Sequence, residues 1–461
     1  MTQLVVRPRS GLNLLALLRR QRAHVPSDCG GHGTCGKCRV RVLDRAGART
    51  LLACQHVPDG VLTVELPEPG PAARARARPH PVDPRLALAA DIGTTTISLA
   101  AVDTALGRVA RRRTVLNPQL PFGADVMTRI SQRRPLRRID LLAPLRSFMA
   151  SAGIGRGREL VAVGNTAIIH FLLGRSPAGL GTWPYRSRVE LGRPARERRG
   201  GLRLWVPPLL DSFVGADCTA AVIASGMHRR PGLELLVDAG TNGEVVLGSS
   251  AGLYVCSTAA GPAFEGATLE CGSLAVPGAV RRVRARGRRL VAATIGNRPA
   301  RSVCGSGVLS ATRAALGAGL LDPSGRLENG DRLTLAPGVW LSQADIREVQ
   351  LAVAALGTGI RLLLLEAGRT ARDITRVHLT GRFGAAIEPD DAVAIGLLPR
   401  IGARIRRHPN LALKGAVRFA ADPASRREAA AVAALSRPVT LSGHREFEAR
   451  FIEAMRLAPW Q

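Results

Sequence analysis

Four cysteines near the start of this 461-residue chain, and two aspartate–glycine loops behind them, are the residues that could do chemistry. Cys29, Cys35, Cys38 and Cys54 stand at a C-x5-C-x2-C-x15-C spacing. A [2Fe–2S] cluster needs four thiolates, and three of them commonly sit on one loop that wraps it. Gly30, Gly31 and Gly33 let that loop curl and turn its amides toward the sulfurs. Zinc is the plainer alternative, but zinc sites usually pair two C-x2-C knuckles, and only one is present. Beside a full thiol set, His32 and His56 are surplus as ligands and read as polar loop residues.

The first aspartate loop is Asp91-Ile-Gly-Thr-Thr-Thr96, and Asp238-Ala-Gly-Thr-Asn-Gly243 repeats it 147 residues later. A Walker loop needs G-x4-G-K-[ST]. Neither lysine, Lys37 or Lys414, stands in that context, so phosphate must be held another way. A carboxylate at a strand end can hold Mg²⁺, directly or through water. Glycine lets the turn approach, so that backbone amides and threonine hydroxyls meet phosphate oxygens. This assigns Asp91 and Asp238 to the metal, and Gly93, Thr94, Thr95, Gly240, Thr241, Asn242 and Gly243 to the phosphates. One such turn is common in hairpins. Two, facing each other across a cleft, would clamp a triphosphate.

The elements that must position these residues can be read from the pattern. Residues 3–7 alternate as a strand, 11–20 form an amphipathic helix, and 39–43 and 61–66 are strands of a small β-rich domain at 1–68. The prolines and Ala–Arg alternation of 69–84 make an extended linker. Strand, Gly-rich turn, strand, strand then occurs twice, from Leu86 and again from Leu233, which is an internal duplication. Lobes of 85–232 and 233–461 follow, with C-terminal helices that could return to the first lobe. The longest helix opens at Ser342-Gln-Ala-Asp345, a capping box, and is apolar on most faces. Gly357 and Gly359 within it point to a close backbone neighbour.

The net charge of +30 resembles that of a nucleic-acid binder. Lysine occurs only twice, however, and the arginines read as scattered, with no single face or tract. Aromatic residues make up 3%, too few to line a base-stacking surface. The expectation is therefore no nucleic acid, and acidic proteins or phosphate ligands instead. No apolar run approaches the ~18 residues of a membrane span, and residues 11–18 lack the flanks of a signal peptide. A cytoplasmic protein without a membrane partner is expected. Cys218, Cys256, Cys271 and Cys304 read as isolated thiols rather than a disulfide framework.

Residues 1–68 resemble β-grasp ferredoxin domains, and the rest resembles the sugar kinase/Hsp70/actin superfamily, a duplicated ribonuclease H-like α/β fold. Val377-His-Leu-Thr-Gly381-Arg-Phe-Gly384 looks like the superfamily's adenosine motif, which implicates Gly381 and Gly384. Ala260-Gly261-Pro-Ala-Phe-Glu265-Gly266 sits where a Gly-rich loop meets the nucleotide. Glu265 and Glu244 are the carboxylates that could orient the attacking water. Val163-Gly-Asn165-Thr166 and Cys304-Gly-Ser-Gly307 resemble the segments that join the lobes.

The combination is more specific. With Asn117-Pro-Gln119, Gly123-Ala-Asp125-Val126, Arg129 and Ile395-Gly-Leu-Leu-Pro399 added, nearly the whole chain resembles the reductive activators of corrinoid proteins. The resemblance implies ATP-dependent reduction of Co(II) to Co(I) for methyl transfer, with Mg–ATP and a [2Fe–2S] cluster. Its partners would be the corrinoid protein of a methyltransferase system and an upstream low-potential electron donor, and a homodimer is one assembly to test. Plant-type clusters sit near roughly −400 mV, and each ~100 mV uphill costs about 2.3 kcal/mol per electron. Nucleotide energy could offset such a gap.

Three departures stand out. Only a linker occupies the place of an additional middle domain, Val353 replaces a usual lysine, and Arg382 replaces a small residue. Two other readings stay open: an ATP-driven activator of another low-potential metalloenzyme, and a non-enzymatic ferredoxin fused to a nucleotide-sensing scaffold.

Overall fold

The computed structural model describes residues 2–9, 11–21, 23, 25, 38–44, 47–66, 80–123, 125–131, 140–155, 157–240, 242–266, 268–328, 330–402 and 404–461. For Thr2, Asp44, Pro262, Glu265 and Arg382 it describes the backbone alone. Cys29, Cys35, Thr241 and most of the linker lie outside those residues.

Strands β1 (Thr2–Val6), β2 (Arg39–Asp44), β3 (Gly47–Leu52) and β4 (Leu62–Leu66) form one sheet in the order β1-β4-β2-β3. The helix Leu14–Arg20 buries Leu14, Leu15, Leu17 and Leu18 in a core shared with Val6, Val40, Val42 and Val64. This is the helix on a sheet that the β-grasp resemblance implies. Strand β3 was not anticipated, because it is an edge strand whose first four residues are exposed and show no alternation.

The first large sheet holds β5 (Leu86–Ile92), β6 (Thr96–Asp103), β7 (Arg108–Leu116), β8 (Glu159–Val163), β9 (Ala195–Arg199) and β10 (Leu202–Val206), in the order β7-β6-β5-β8-β10-β9. After β11 (Glu234–Ala239), β12 (Gly243–Ser249) and β13 (Gly252–Thr258) come two small sheets. One holds β14 (Ala279–Arg286), β15 (Arg289–Thr294) and β16 (Ser302–Val303), and the other β17 (Arg332–Ala336) and β18 (Val339–Ser342). Strands β19 (Arg376–Thr380), β20 (Arg404–Arg407) and β21 (Ser436–Pro438) complete the second large sheet, ordered β20-β19-β11-β12-β13-β21.

In each large sheet an antiparallel meander (β5-β6-β7, β11-β12-β13) is extended from its first strand by parallel neighbours (β8 and β10, β19 and β20). The same order twice is the duplication read from the sequence. Strand β5 is central and buried on both faces, which is why Leu86–Ala90 reads as a continuous apolar run ahead of Asp91.

Sequence order and spatial order part near the C-terminus. Helices Leu411–Ala421 and Pro423–Leu435 pack in the core of the first large sheet, where Phe419 meets Trp205 edge-on at 5.1 Å. The chain then returns to the second sheet as β21.

The helix Gln343–Glu366 carries the capping box of Ser342 and Asp345. It is long and apolar enough to cross a membrane, yet 78% of its most apolar window is buried inside the protein. It is the core helix of the second lobe, and Val353 lies fully buried in that core. A Cβ at Gly359 would meet the Thr258 methyl at 2.6 Å, and one at Gly357 would lie 3.3 Å from the Gly396 carbonyl. The nearest neighbour is a side chain at both glycines, since the Arg361 guanidinium would lie 2.8 Å from the Cβ at Gly357, closer than that backbone.

The arginines are less scattered than the sequence suggested. Arg281, Arg282, Arg284, Arg286, Arg288 and Arg289 gather on the β14–β15 hairpin, with Arg286 directly opposite Arg289 and all six exposed. All six fall within nine consecutive residues, 281–289, a tract that the sequence reading passed over.

Candidate nucleotide cleft and cluster thiols

Strands β5 and β11 each end in a tight turn. The Gly93 N–H donates to the Thr96 carbonyl at 2.9 Å, and the Gly240 N–H donates to the Asn242 carbonyl at 3.2 Å. Ile92 pairs with Ile97 but Ala239 with Gly243, so the first turn is one residue longer. Both turns open on one cleft of about 430 Å³ between the lobes. Asp91, Gly93, Thr94, Thr95, Asp238, Gly240, Asn242, Glu244 and Gly381 line it together. Gly243, Gly261 and Gly384 do not. Gly243 serves packing instead, since a Cβ there would meet Leu356 at 2.3 Å. The side chain of Glu265 lies outside what the structure describes.

The cleft concentrates carboxylates. Burial pushes Asp91 up to about 6, against a hydrogen bond from Asn410 that pulls it down. Burial and then the Asp91 charge raise Asp238 to about 7. Burial, then Asp238 and Asp91, raise Asp217 to about 8. Glu244 is held well above its ordinary range by burial and by Asp217 and Asp238, and its buried Oε1 has no hydrogen-bond partner among the described residues. No basic side chain is among the groups that shift these four acids.

A divalent cation would satisfy such a set, so the residues fit Mg²⁺. Among the described residues no three His, Cys, Asp or Glu side chains come close enough to hold a metal by themselves. That suits Mg²⁺ arriving with phosphate and keeping several of its waters.

Two asparagines tie helices to the first turn. Asn165 caps the helix Thr166–Leu173 by accepting from the Ile168 N–H, while its Nδ2 donates to the Thr94 hydroxyl at 3.2 Å. Asn410 caps Leu411–Ala421 by accepting from the Leu413 N–H, while its Nδ2 donates to Asp91 Oδ2 at 2.6 Å. The carboxamide carries its acceptor and its donor on separate atoms, so asparagine can cap a helix through oxygen while its nitrogen donates elsewhere.

Gly381 opens the segment after β19 at φ +82°, and a Cβ there would lie 2.2 Å from Asp238 Oδ1. The two predicted nucleotide segments also meet: Phe264 stacks on Phe383 at 4.6 Å between ring centroids. Sequence reasoning missed Asp217, Asn410, Arg112 and Arg113, all of which line the cleft. The signals for the first two were an acid in the first turn of the apolar helix Ala216–Ser225 and an asparagine before another apolar run.

A second cavity of about 440 Å³ adjoins the cleft through Asn165 and Asn242. Its walls are largely apolar and include Tyr185, Phe213, Phe447 and Phe451.

In the N-terminal domain the Cys38 and Cys54 sulfurs lie 3.2 Å apart, both buried and neither in a disulfide. The Cys54 N–H points at Cys38 Sγ over 3.5 Å. Asn13 caps the helix Leu14–Arg20 through Oδ1 while its Nδ2 donates to the Cys54 carbonyl at 2.8 Å. Two converging thiols with amide donors fit half of a four-thiolate cluster site. Cys218, Cys256 and Cys304 are buried singly elsewhere, and burial pushes the first two thiols well up, which keeps them inert.

Comparison with known proteins follows this division. Residues 2–59 match the profile of the 2Fe-2S iron-sulfur cluster binding domain, 86–230 the RACo middle region, and 232–460 the C-terminal domain of RACo, its ASKHA domain. This chain belongs to the RACo family. The region named "middle" is its first lobe, so a region of that name is present and is not what the short linker replaces. A solved structure, "Reductive activator for corrinoid,iron-sulfur protein", superposes with a TM-score of 0.69 at 25% identity, covering 99% of this chain and 78% of that one. "Corrinoid activation enzyme RamQ" of Eubacterium limosum is 31% identical over 72% of this chain. A "[Co(II) methylated amine-specific corrinoid protein] reductase" of Methanosarcina barkeri is 29% identical over 45% of this chain. The matches span 64% and 42% of those two proteins.

Proposed function

We propose that this chain is an ATP-dependent reductive activator that passes one electron to the cobalt of a corrinoid protein, taking Co(II) to Co(I). One juxtaposition carries the reading. Two duplicated aspartate turns share a cleft with two further buried acids, Asp217 and Glu244, and on the same chain two buried thiols converge.

In the cleft, Asp91 and Asp238 would hold Mg²⁺ from opposite lobes, and the turns at Gly93–Thr95 and Gly240–Asn242 would receive the phosphates. Glu244, opposite Asp238 on the neighbouring strand, is placed to orient water, and Asp217 can take its proton. Glu265 remains a candidate for the same task. Gly381 leaves room for the nucleotide beside Asp238. In the N-terminal domain Cys29, Cys35, Cys38 and Cys54 would hold the [2Fe–2S] cluster, which supplies a one-electron store.

The linker keeps both domains at high mutual concentration. The nucleotide contributes by favouring one docked arrangement over another, which is the only way that binding energy can shift an equilibrium. The target is the corrinoid protein of a methyltransferase system, electrons come from a low-potential donor, and the setting is the cytoplasm.

The experiment is reduction of a Co(II) corrinoid protein by the iron-loaded chain with a low-potential reductant, followed by the Co(I) absorbance band. The band should require both Mg–ATP and the intact chain. Equal yield without ATP, or from the isolated N-terminal domain, would overturn the reading.

A further inference from the structure

The run Asn117-Pro-Gln119…Gly123…Asp125…Arg129 is conspicuous in the sequence, yet only its neighbours line the cleft. The structure shows what it touches. Asn117 Nδ2 donates to the Gly93 carbonyl at 2.8 Å, and the Asn117 N–H donates to the Thr95 carbonyl at 3.0 Å. Arg129 Nη2 donates to the Thr94 carbonyl at 2.7 Å. Three successive carbonyls of the first phosphate turn are thus drawn to one side. A trans peptide plane points its N–H opposite its C=O. The amides of Thr94 and Thr95 are therefore turned the other way, toward the cleft those residues line.

Arg129 is fully buried, and its Nε donates to the Gly123 carbonyl at 2.9 Å. Gly123 has φ +147°, and a Cβ there would strike Thr128 at 2.6 Å, so this corner is tightly built. The adjoining Pro121 and Phe122 are where the ferredoxin domain rests. Arg19, in the last turn of Leu14–Arg20, donates to the Pro121 carbonyl and lays its guanidinium over the Phe122 ring at 4.8 Å. At its other end the same helix is fastened to the Cys54 carbonyl by Asn13.

We infer that Arg129 is the positioning residue of the first phosphate turn, and that through Gly123 and Phe122 it transmits nucleotide occupancy to the Arg19 seat of the ferredoxin domain. The inference rests on the nucleotide reading of the cleft given above. Phosphate drawing on the amides of Thr94 and Thr95 tightens the same peptide planes whose carbonyls Arg129 holds. The other end of that guanidinium sets Gly123, the corner beneath Arg19. Lysine keeps the charge at 129 but reaches one carbonyl at a time, so it uncouples the two ends without removing the buried cation.

The test uses the full iron-loaded chain. Binding of Mg–AMPPNP is measured by calorimetry, and amide hydrogen exchange is followed over residues 14–20 with and without that nucleotide. In the wild type, nucleotide should slow or speed exchange in 14–20. Arg129→Lys should weaken nucleotide binding about 10-fold, the usual scale for a charge-assisted hydrogen bond, and erase the exchange response at saturating nucleotide. Arg19→Ala should leave nucleotide affinity within about 2-fold while erasing the response, a result that a merely structural role for either arginine does not produce.

A wild type that binds no Mg–AMPPNP would overturn the nucleotide reading itself and this inference with it. Normal binding with no response in 14–20, or a response that survives Arg19→Ala, would overturn the coupling alone. Unchanged affinity in Arg129→Lys would overturn the positioning role. If Arg129→Lys fails to fold, Arg19→Ala still decides the coupling, and Asn117→Ala tests the turn.

Discussion

Asp238 and Glu244 stand directly opposite each other on β11 and β12, so two carboxylates share one face of the sheet inside the cleft. The matching pair on the first lobe is Asp91 opposite Ser98. The two strand pairs are therefore chemically unequal, with an acid opposite the turn aspartate only in the second lobe. Like charges placed across a strand pair are destabilising, and a bound cation would offset that repulsion.

Removing one of the opposed acids should separate stability from activity. At pH 8, above the value of about 7 at which Asp238 titrates, Asp238→Asn should raise the melting temperature of the nucleotide-free protein. The same change should lower ATP hydrolysis ~100-fold or more, the scale of losing one group that stabilises the transition state. The visible spectrum of the cluster should be unaffected, because the thiols belong to another core. Melting and turnover assays on one preparation check this.

The pH dependence follows from the same acids. Asp91, Asp238 and Asp217 titrate at about 6, 7 and 8 when folded, against ~3.9 when unfolded. The folded state therefore holds protons that the unfolded chain has released. The stability these groups contribute is fully present below about pH 4 and is lost as pH rises through 6 to 8. The nucleotide-free protein should melt at lower temperature as pH is raised across that window. Stabilisation by Mg–AMPPNP should grow over the same range, because the cation displaces those protons. A nucleotide effect that does not vary between about pH 5.5 and 8.5 would contradict the assignment.

Asn410→Asp keeps the helix cap but replaces the donor to Asp91 with another acid. Helix content should survive, while affinity for Mg–nucleotide falls and its pH dependence moves upward. Asn410→Ser, which caps without the added charge, should fall between this variant and the wild type in calorimetric titrations.

At Gly381 an alanine would have to adopt φ +82° with its methyl 2.2 Å from Asp238. The left-handed backbone alone costs about 1–2 kcal/mol, and displacing the carboxylate would disturb the proposed Mg²⁺ site. Gly381→Ala should lose nucleotide binding altogether, whereas Gly261→Ala, which bears a similar backbone strain at φ +73° but has open space around it and does not line the cleft, should retain most of it.

For the N-terminal domain, anaerobically purified protein should carry about two irons and two labile sulfides per chain, as a [2Fe–2S] site requires. Cys54→Ala should lose the cluster signal in electron paramagnetic resonance. Asn13→Ala should shift that signal without abolishing iron binding, because Asn13 touches the backbone of Cys54 and not its sulfur. Stoichiometric zinc would rule the cluster out.

By itself the sequence determined the residue types, their local spacing and the repetition. Thiols at C-x5-C-x2-C-x15-C, the twice-written strand and aspartate turn, and the capping box at Ser342 are all short-range features, governed by backbone geometry that neighbouring residues set. The tertiary structure alone decided which distant residues share a volume. Asp217 and Asn410 line the cleft because the helices Ala216–Ser225 and Leu411–Ala421 pack on each other, the second against β5, and Arg129 reaches the first turn from the helix Val126–Ser131. Such meetings depend on how apolar faces find each other across long loops, and that information is spread over the whole core rather than written at any one position.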